Sequence, residues 1–317
     1  MTIARALTAA LFVATALSSQ GCSVIFAYVK SGGSVEAAAA EGARAGGAAK
    51  EAVDNINAKD ERALGQAASL NVIAKNGGLV LEVELNAYVN EVGNLVAQQG
   101  KRSILVKGNP RIVSRRVFIG VLDSPNQNAF SMPGGYIMVT RGLLKNLGSE
   151  SELAWVLGHE IAHADGEDGL TALKGQVAAG AFATGGASDF KDSKFFAKMT
   201  DGFVNWLLKN GYDSKAEVTA DSEGLTYATA AGYDAEGAQR VLRLMNASYL
   251  ATRKPDAPPD KTHASPEDRW KKLAPKVEAL QKAHQGELKV ERYEERCIAR
   301  LDAYVAANPA SAKGGAP

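Results

Sequence analysis

The sequence predicts an α+β fold that is mostly helical and has one small β-sheet. β-branched and aromatic runs are concentrated in residues 111–140, while apolar residues at helical spacing recur from about residue 60 and again after residue 141. A length of 317 residues, with 46% hydrophobic and 22% charged residues, is typical of one globular unit with accessory segments. The formal net charge of +1 provides no basic field, so we expect no nucleic-acid partner.

The chain begins with a pattern typical of a secretory signal peptide over residues 1–21. Arg5 precedes an apolar run at residues 6–17, which small residues follow. This run is too short to cross a bilayer, because a spanning helix needs about 20 residues.

Cys22, which follows Gly21, resembles the lipidation site of bacterial lipoproteins. That pattern prefers leucine three residues before the cysteine, where this chain has Ser19, so the alternative is a plain signal peptide with an incidental cysteine. Several acyl chains on one residue would anchor the protein stably, and Ser23 in place of aspartate fits outer-membrane sorting. We expect a lipid anchor at Cys22, on the periplasmic face of the outer membrane of a Gram-negative bacterium.

The domain boundaries follow from composition. Residues 22–58 are predicted to be a lipidated N-terminus and a Gly/Ala-rich spacer, residues 59–290 the main domain, and residues 291–317 a C-terminal helix and a disordered tail. The apolar but Gly-broken stretch 175–188 favours a loop or helix junction over a membrane span. Cys297 is expected to be a half-buried thiol without a catalytic role.

The strands and helices of the main domain follow from their periodicity. The runs at 111–123 and 135–140 predict the sheet, and residues 126–128 and the Pro-Gly-Gly at 133–135 predict the turns. An amphipathic helix is predicted over residues 82–98. Its apolar face consists of Leu85, Tyr88, Val89, Val92 and Leu95.

A helix with two histidines follows the sheet. Ser149 and Glu152 have the form of a capping box, and Gly166 supplies the stop. His159 and His163 are therefore at i and i+4 on one face of this helix. Its predicted buried residues are Leu153, Val156, Leu157 and Ile161.

The spacing of these histidines allows both imidazoles to bind one tetrahedral zinc ion. Glu160 is next to the first of them and can approach the open position of the metal, where it would act as a general base on metal-activated water. Only four histidines exist in the chain and two lie here, which favours a site over two hydrogen-bonded histidines in a core.

A third ligand is needed, and Glu217 is the best candidate. Gly169 occupies the third-histidine position of the metzincin pattern and cannot bind a metal. Glu217 and Asp221 are at i and i+4 on a second predicted helix, so one carboxylate can bind zinc while the other supports the site. We expect Asp221 to accept a ring N–H from a ligating histidine, and we assign this histidine as His159. The alternative is that Ser214 and Glu217 merely cap that helix.

With these motifs the chain resembles the HtpX-like and CAAX prenyl-protease zinc peptidases, metallopeptidase family 48, and most closely their envelope lipoprotein branch. The resemblance covers roughly residues 60–285. Its segments are HEIAH at 159–163, EVTAD at 217–221, NAFSMPGGYI at 128–137 with VTRGL at 139–143, and Thr262-His263 with Pro266 and Arg269.

The resemblance implies a role for His263, which would either stabilise the oxyanion or occupy the fourth zinc position in a self-inhibited state. Ala264 replaces the family's usual proline, so this loop is expected to be less rigid, and a solvated surface histidine remains the alternative. Arg269 is expected to pair with a site carboxylate, to carry transition-state charge, or to form an ordinary helix salt bridge.

The segment at 128–137 is expected to be an edge strand beside the cleft. An extended substrate could pair with its free backbone groups, whereas the alternative is a purely structural hairpin. The residues predicted to bind substrate are Asn128, Ala129, Phe130, Gly135 and Tyr136.

The predicted function is a zinc-dependent endopeptidase with one zinc per chain and with residues 59–290 as its peptidase domain. Its expected substrates are unfolded or misassembled cell-envelope proteins, and outer-membrane assembly machinery is a possible partner. The alternative is a zinc-stabilised periplasmic chaperone or assembly factor for outer-membrane proteins. A third possibility is a peptidase for one dedicated envelope substrate. Glu160 favours hydrolysis, because a structural zinc site does not need it.

Overall fold

The computed structural model of the chain describes residues 58–101, 117–178, 193–252, 265–283 and 285–312. The signal peptide, Cys22 and nearly all of the spacer lie outside these residues, as do His263, Ala264 and most of the stretch 175–188. The predictions made for them stay predictions. No helix in the described part of the chain is both long enough and apolar enough to cross a membrane.

The three described strands follow one another in one short stretch of the chain, and helices precede and follow them. The strands are β1 (Phe118–Leu122), β2 (Ala129–Met132) and β3 (Tyr136–Thr140), with a 3₁₀ turn at Pro133–Gly135. The helices are α1 (Ala58–Lys75), α2 (Val83–Ala97), α3 (Arg141–Asn146), α4 (Glu150–Asp165), α5 (Asp168–Ala178), α6 (Ser193–Asn210), α7 (Ser214–Ala230), α8 (Glu236–Thr252), α9 (Pro266–Ala283), α10 (Val290–Tyr293), α11 (Ala299–Ala307) and α12 (Pro309–Ala312). The predicted α+β class is confirmed.

The sheet has the order β1-β3-β2, with β1 parallel and β2 antiparallel to β3. Phe118 pairs with Tyr136 and Ala129 pairs with Val139, which makes β3 the central strand. All five residues of β3 are buried because both faces of the sheet are covered by helices. One side of β2 has no strand partner among the described residues, so β2 is an edge strand.

Two apolar clusters cover the two faces of this sheet. The strands alternate between them: Ile119, Val121, Ile137 and Val139 pack with α2, α4, α7 and α8, and Phe118, Leu122, Tyr136 and Met138 pack with α1 and α6. The predicted apolar face of α2 enters the first cluster. The sheet and α2 thereby support α4 from one side.

Helix α4 begins and ends where the sequence predicts, with Gly166 as the residue that follows its last turn. The Ser149 side chain accepts a hydrogen bond from the Glu152 backbone N–H at 3.3 Å, and the Glu152 carboxylate accepts one from Gly148 N–H at 2.9 Å. At the other end Gly166 keeps a right-handed conformation with φ of −76°. Glu167, with φ of 56°, takes the left-handed position instead.

Helices α4 and α7 approach each other at two glycines. A Cβ added to Gly158 would lie 2.7 Å from the Gly224 carbonyl oxygen, and one added to Gly224 would lie 2.5 Å from the His159 backbone nitrogen. Since no larger side chain fits between the two backbones, this glycine contact sets the distance between the helices. It brings the Glu217–Asp221 face of α7 against the histidines of α4.

The C-terminal segment packs into the first cluster. Helices α10 and α11 are joined by a π-helical turn at Glu294–Ile298, and Tyr293, Cys297 and Leu301 are buried. Burial raises the pKa of the Cys297 thiol to about 12, so this thiol stays protonated and unreactive at neutral pH. The tail that was predicted to be disordered includes α12, where the Ser311 carbonyl accepts a hydrogen bond from the Arg141 guanidinium.

Candidate metal centre

Three side chains from α4 and α7 converge at the bottom of a cleft. The Nε2 atoms of His159 and His163 lie 3.0 Å apart. The Glu217 carboxylate lies 3.6 Å from His159 Nε2 and 3.5 Å from His163 Nε2. One ligand atom of each residue lies within 4.8 Å of the others, and no other group of this kind occurs in the part of the chain that the structure describes.

This donor set fits a zinc ion. Ligands about 2.0–2.1 Å from a tetrahedral ion are separated from each other by roughly 3.3 Å. The two imidazole nitrogens lie 3.0 Å apart, and each has a different oxygen of Glu217 near it, Oε2 at 3.6 Å from His159 and Oε1 at 3.5 Å from His163. Two imidazole nitrogens and one carboxylate oxygen are also the protein ligands of one known type of catalytic zinc site. The predicted ligands His159, His163 and Glu217 therefore lie together as a metal site requires.

The carboxylate of Glu217 is kept ionised by its surroundings. Burial opposes its charge, but the contact with His163 and the charges of His159 and Arg269 outweigh burial and lower the Glu217 pKa to about 2. The alternative role as a helix cap is not observed, because Asp213 caps α7 by accepting hydrogen bonds from Lys215 N–H and Ala216 N–H.

His159 lies beside the carboxylate of Asp221, which was predicted to accept its ring N–H. Its Nδ1 lies 3.0 Å from Asp221 Oδ1, at ion-pair distance, although the ring nitrogen is not aligned for an ideal hydrogen bond. Arg269 donates to both oxygens of Asp221, at 2.8 and 2.5 Å, and its Nη1 lies 3.2 Å from Glu217. Of the three roles considered for Arg269, the structure therefore shows the pairing with site carboxylates. The positive charge of Arg269 offsets the negative charges of these buried carboxylates.

His163 has a partner that the sequence analysis missed. Its Nδ1 lies 2.7 Å from Asp168 Oδ2, at the start of α5. Burial disfavours the charged imidazole, but the contacts with Asp168 and Glu217 outweigh it and raise the His163 pKa to about 9. Asp168 thus lies against the ring of His163 as Asp221 lies against that of His159, and its hydrogen bond fixes the His163 ring and its tautomer.

Glu160 lines the cleft beside the two histidines. It is buried, and burial raises the pKa of its carboxyl group. Because it is adjacent to His159 on α4 and is not one of the three convergent donors, it is free to act on a water or a substrate. The geometry therefore suits the predicted role of general base, and this role stays a prediction.

The cleft above these residues has a volume of about 480 Å³. The edge strand β2 forms one side, since Asn128, Ala129 and Phe130 line it as predicted. Gly135 and Tyr136 do not line it. Gly135 is in the buried turn before β3, and Tyr136 is on the central strand with its ring against Phe118, because the chain reverses direction at Pro133–Gly135.

A sequence model of Peptidase family M48 matches residues 86–278, which is more than half of the chain. The chain belongs to peptidase family M48. The match extends from α2 to α9 and includes His159, His163, Glu217 and Asp221, so the resemblance that the motifs indicated is confirmed.

The M48 domain is similar to several metalloendopeptidases. It is 35% identical over 98 residues to the mitochondrial metalloendopeptidase OMA1 of Bos taurus, which covers 27% of this chain and 19% of the relative. It is 27% identical over 216 residues to a putative beta-barrel assembly-enhancing protease of Vibrio cholerae, which covers 64% of this chain and 41% of the relative. The chain thus spans less than half the length of these relatives. The family and these names indicate a metalloendopeptidase.

Tyr212 is a second residue of the M48 site that the sequence analysis missed. Its ring centroid lies 4.4 Å from that of His163, and its hydroxyl donates to the Ser131 carbonyl on β2 at 2.7 Å. Tyr212 therefore joins the metal site to the edge strand. Neither it nor Asp168 lies in a motif; the one signal was that Asp168 follows His163 by five residues, at the start of the next helix.

Proposed function

We propose that this M48 protein is a zinc-dependent endopeptidase that hydrolyses peptide bonds of unfolded or misassembled cell-envelope proteins. The observation that carries the proposal is the convergence of His159, His163 and Glu217 below an open cleft, with Glu160 beside them. A site that only stabilised the fold would be closed by a fourth protein ligand and would not need a carboxylate next to an open position.

The chemistry follows from these positions. Zinc, when bound by the three residues, would polarise the substrate carbonyl and activate water for attack. Glu160 takes the proton of the attacking water and passes it to the nitrogen of the leaving amine. Asp168 and Asp221 hold the histidine rings in orientation, and Arg269 offsets the charge that the acids place in a buried site.

Backbone pairing with β2 would hold the substrate. Thr140 N–H donates to the Asn128 carbonyl, so Asn128 is in a hydrogen-bonded pair with β3 and the next residue, Ala129, is not. The Ala129 carbonyl and the Ser131 N–H consequently point away from β3. An extended substrate can pair with them, which gives affinity with little dependence on its sequence.

The cellular setting is proposed from the sequence. The signal peptide at residues 1–21 and the lipidation pattern at Cys22 support a protein anchored on the periplasmic face of the outer membrane. The similarity to the Vibrio cholerae relative, a putative beta-barrel assembly-enhancing protease, supports the same setting. We propose outer-membrane assembly machinery as a partner.

That relative's name also favours a second candidate function. The protein would be a zinc-stabilised assembly factor or chaperone for outer-membrane proteins, with hydrolysis minor or switched off. The two candidates differ in whether Glu160 is needed, because holding an unfolded chain requires no general base.

The test is hydrolysis of casein by the full mature chain with bound zinc, after chelation, and after zinc is restored. We expect cleavage that chelation abolishes and zinc restores. Glu160→Gln should keep about one zinc and lose about 10²–10⁴-fold in rate. The matched control is Glu267→Gln, an exposed carboxylate on α9, which should cleave as the wild type does.

Wild-type rates in Glu160→Gln would show that Glu160 is not the base. A zinc-loaded wild type that binds casein without cleaving it would contradict the endopeptidase. Normal outer-membrane assembly in cells that carry Glu160→Gln would then support the assembly factor.

A further inference from the structure

One wall of the cleft is formed by α8, and the residues that face the cleft repeat at helical spacing. Positions 241, 244, 245, 248 and 249 lie within one stripe of the helix, because residues three and four apart share a face. The stripe, which we call the α8 wall, consists of Val241, Leu244, Met245, Ser248 and Tyr249.

The α8 wall is apolar over most of its length, and part of it is exposed. Val241 is buried, whereas Met245 is 36% exposed although it is a large apolar residue. Phe130 on β2 and Val156 on α4 line the same cleft and extend the apolar surface toward the metal site. Exposed apolar surface in a concave site next to reactive groups is typical of a surface that binds a ligand.

Charged groups lie elsewhere in the cleft. Those that line it are Glu160, the paired residues of the metal site, and Lys209 on α6, which is exposed. A charged side chain placed against the α8 wall would lose hydration without gaining a partner there. An apolar side chain bound there would instead remove both its own apolar surface and that of the α8 wall from water.

We propose that the α8 wall is a subsite for a large apolar side chain, such as that of leucine, methionine or phenylalanine, next to the bond that is cut. The inference rests on the proposed peptidase function. Side chains of a substrate that pairs with β2 alternate between two directions, so alternate residues face α8. The preferred substrates are thus extended segments with apolar residues that a folded protein would bury.

The test is to map the cleavage sites in reduced, unfolded casein by mass spectrometry and to confirm them with peptides. The peptides would differ only at the enriched position, as leucine, phenylalanine, aspartate or lysine. We expect one position beside the cleaved bond to be enriched in large apolar residues. The kcat/KM for leucine should exceed that for aspartate by at least about tenfold.

Met245→Asp should remove most of this preference while zinc content stays at about one per chain. Met245→Leu should retain it, which separates loss of the apolar wall from loss of methionine itself. The matched control is Leu250→Asp, because Leu250 is on the same helix, is 60% exposed and does not line the cleft. This control should keep the wild-type preference.

The results distinguish the inference from the proposed function. No cleavage by zinc-loaded wild type would overturn the peptidase itself. Cleavage without an apolar preference, or the same preference in Met245→Asp as in the wild type, would overturn only the subsite. If Leu250→Asp lost the preference to the same extent as Met245→Asp, the loss would be a general effect of added charge. That result would also contradict the assignment of the α8 wall as a subsite.

Discussion

The floor and the α8 wall of the cleft differ in chemistry and in how tightly they are held. The floor is the metal site, which consists of buried ionisable residues of α4, α7 and α9 that pair with one another. A glycine contact holds α4 against α7. The α8 wall is apolar and partly exposed, and Met245 packs less tightly than the core. The difference suggests a division of roles, in which the floor determines the reaction and the wall determines which substrates are chosen.

Changes in the floor should therefore affect metal binding, folding or the rate for every substrate. Changes in the wall should affect the choice between substrates, as proposed for Met245.

Glu217→Ala should have the largest effect, because it removes one of three ligands and two imidazoles alone form a weak site. We expect zinc content to fall from about one per chain to near zero and hydrolysis to fall to background for every peptide tested. Zinc content is measured by metal analysis after dialysis, and hydrolysis is measured as initial rates. Glu223→Ala, on the same helix but bonded to Lys101 and Tyr227, is the matched control and should keep its zinc.

Full zinc content in Glu217→Ala would mean that another residue completes the site. The division between floor and wall would also fail if Glu217→Ala changed the peptide preference and left the rate for the preferred peptide unchanged.

Gly224→Ala tests whether the glycine contact sets the geometry of the floor. The added Cβ would lie 2.5 Å from the backbone nitrogen of His159, so α7 or α4 must shift. We expect a loss of about 1–3 kcal/mol in the free energy of unfolding, measured by denaturant titration of the zinc-free protein. Zinc affinity should fall as well, because α7 carries Glu217.

Gly175→Ala is the control for Gly224→Ala, since Gly175 is also helical but has nothing within 4 Å of an added Cβ. It should be neutral or stabilising by about 0.5–1 kcal/mol. Equal stability of the two variants would mean that the helices can separate without cost.

Asp168→Ala should have the smallest effect of the three. Asp168 orients a ligand without binding the metal itself, and its side chain is 24% exposed, so water can replace part of what it provides. Removing such a partner typically weakens metal affinity 10–100-fold, and we expect about tenfold here. Competition with a chelator of known affinity would measure it, with Asp302→Asn, an exposed residue paired with Lys145, as control.

Asp168→Asn should be intermediate, because the amide oxygen can still accept a hydrogen bond from the ring nitrogen. Unchanged zinc affinity in both Asp168 variants would show that His163 needs no partner. Asp221 would be a poorer test, because its loss would also leave the buried Arg269 guanidinium without its main partner.

Much of the fold and site could be predicted because local spacing carries the information. His159 and His163 share a face since they are four residues apart on a helix, and the cap at Ser149 lies within one turn of its partner. The strands were recognised by composition, and their burial on both faces explains the nearly continuous apolar runs. Tyr136 was placed wrongly because the sequence shows the turn at residues 133–135 but not which of the two strands that it joins lies at the edge of the sheet.

The pair of histidines, the adjacent base, and the second helix with acids at i and i+4 could all be identified from the sequence. The packed fold was needed to show that Arg269 pairs with Asp221, that Tyr212 joins His163 to β2, and that the Gly158–Gly224 contact brings α7 onto α4. The first set depends on helical geometry within a few residues. The second depends on contacts between residues 48 to 81 positions apart, which form only when separate helices and strands pack together.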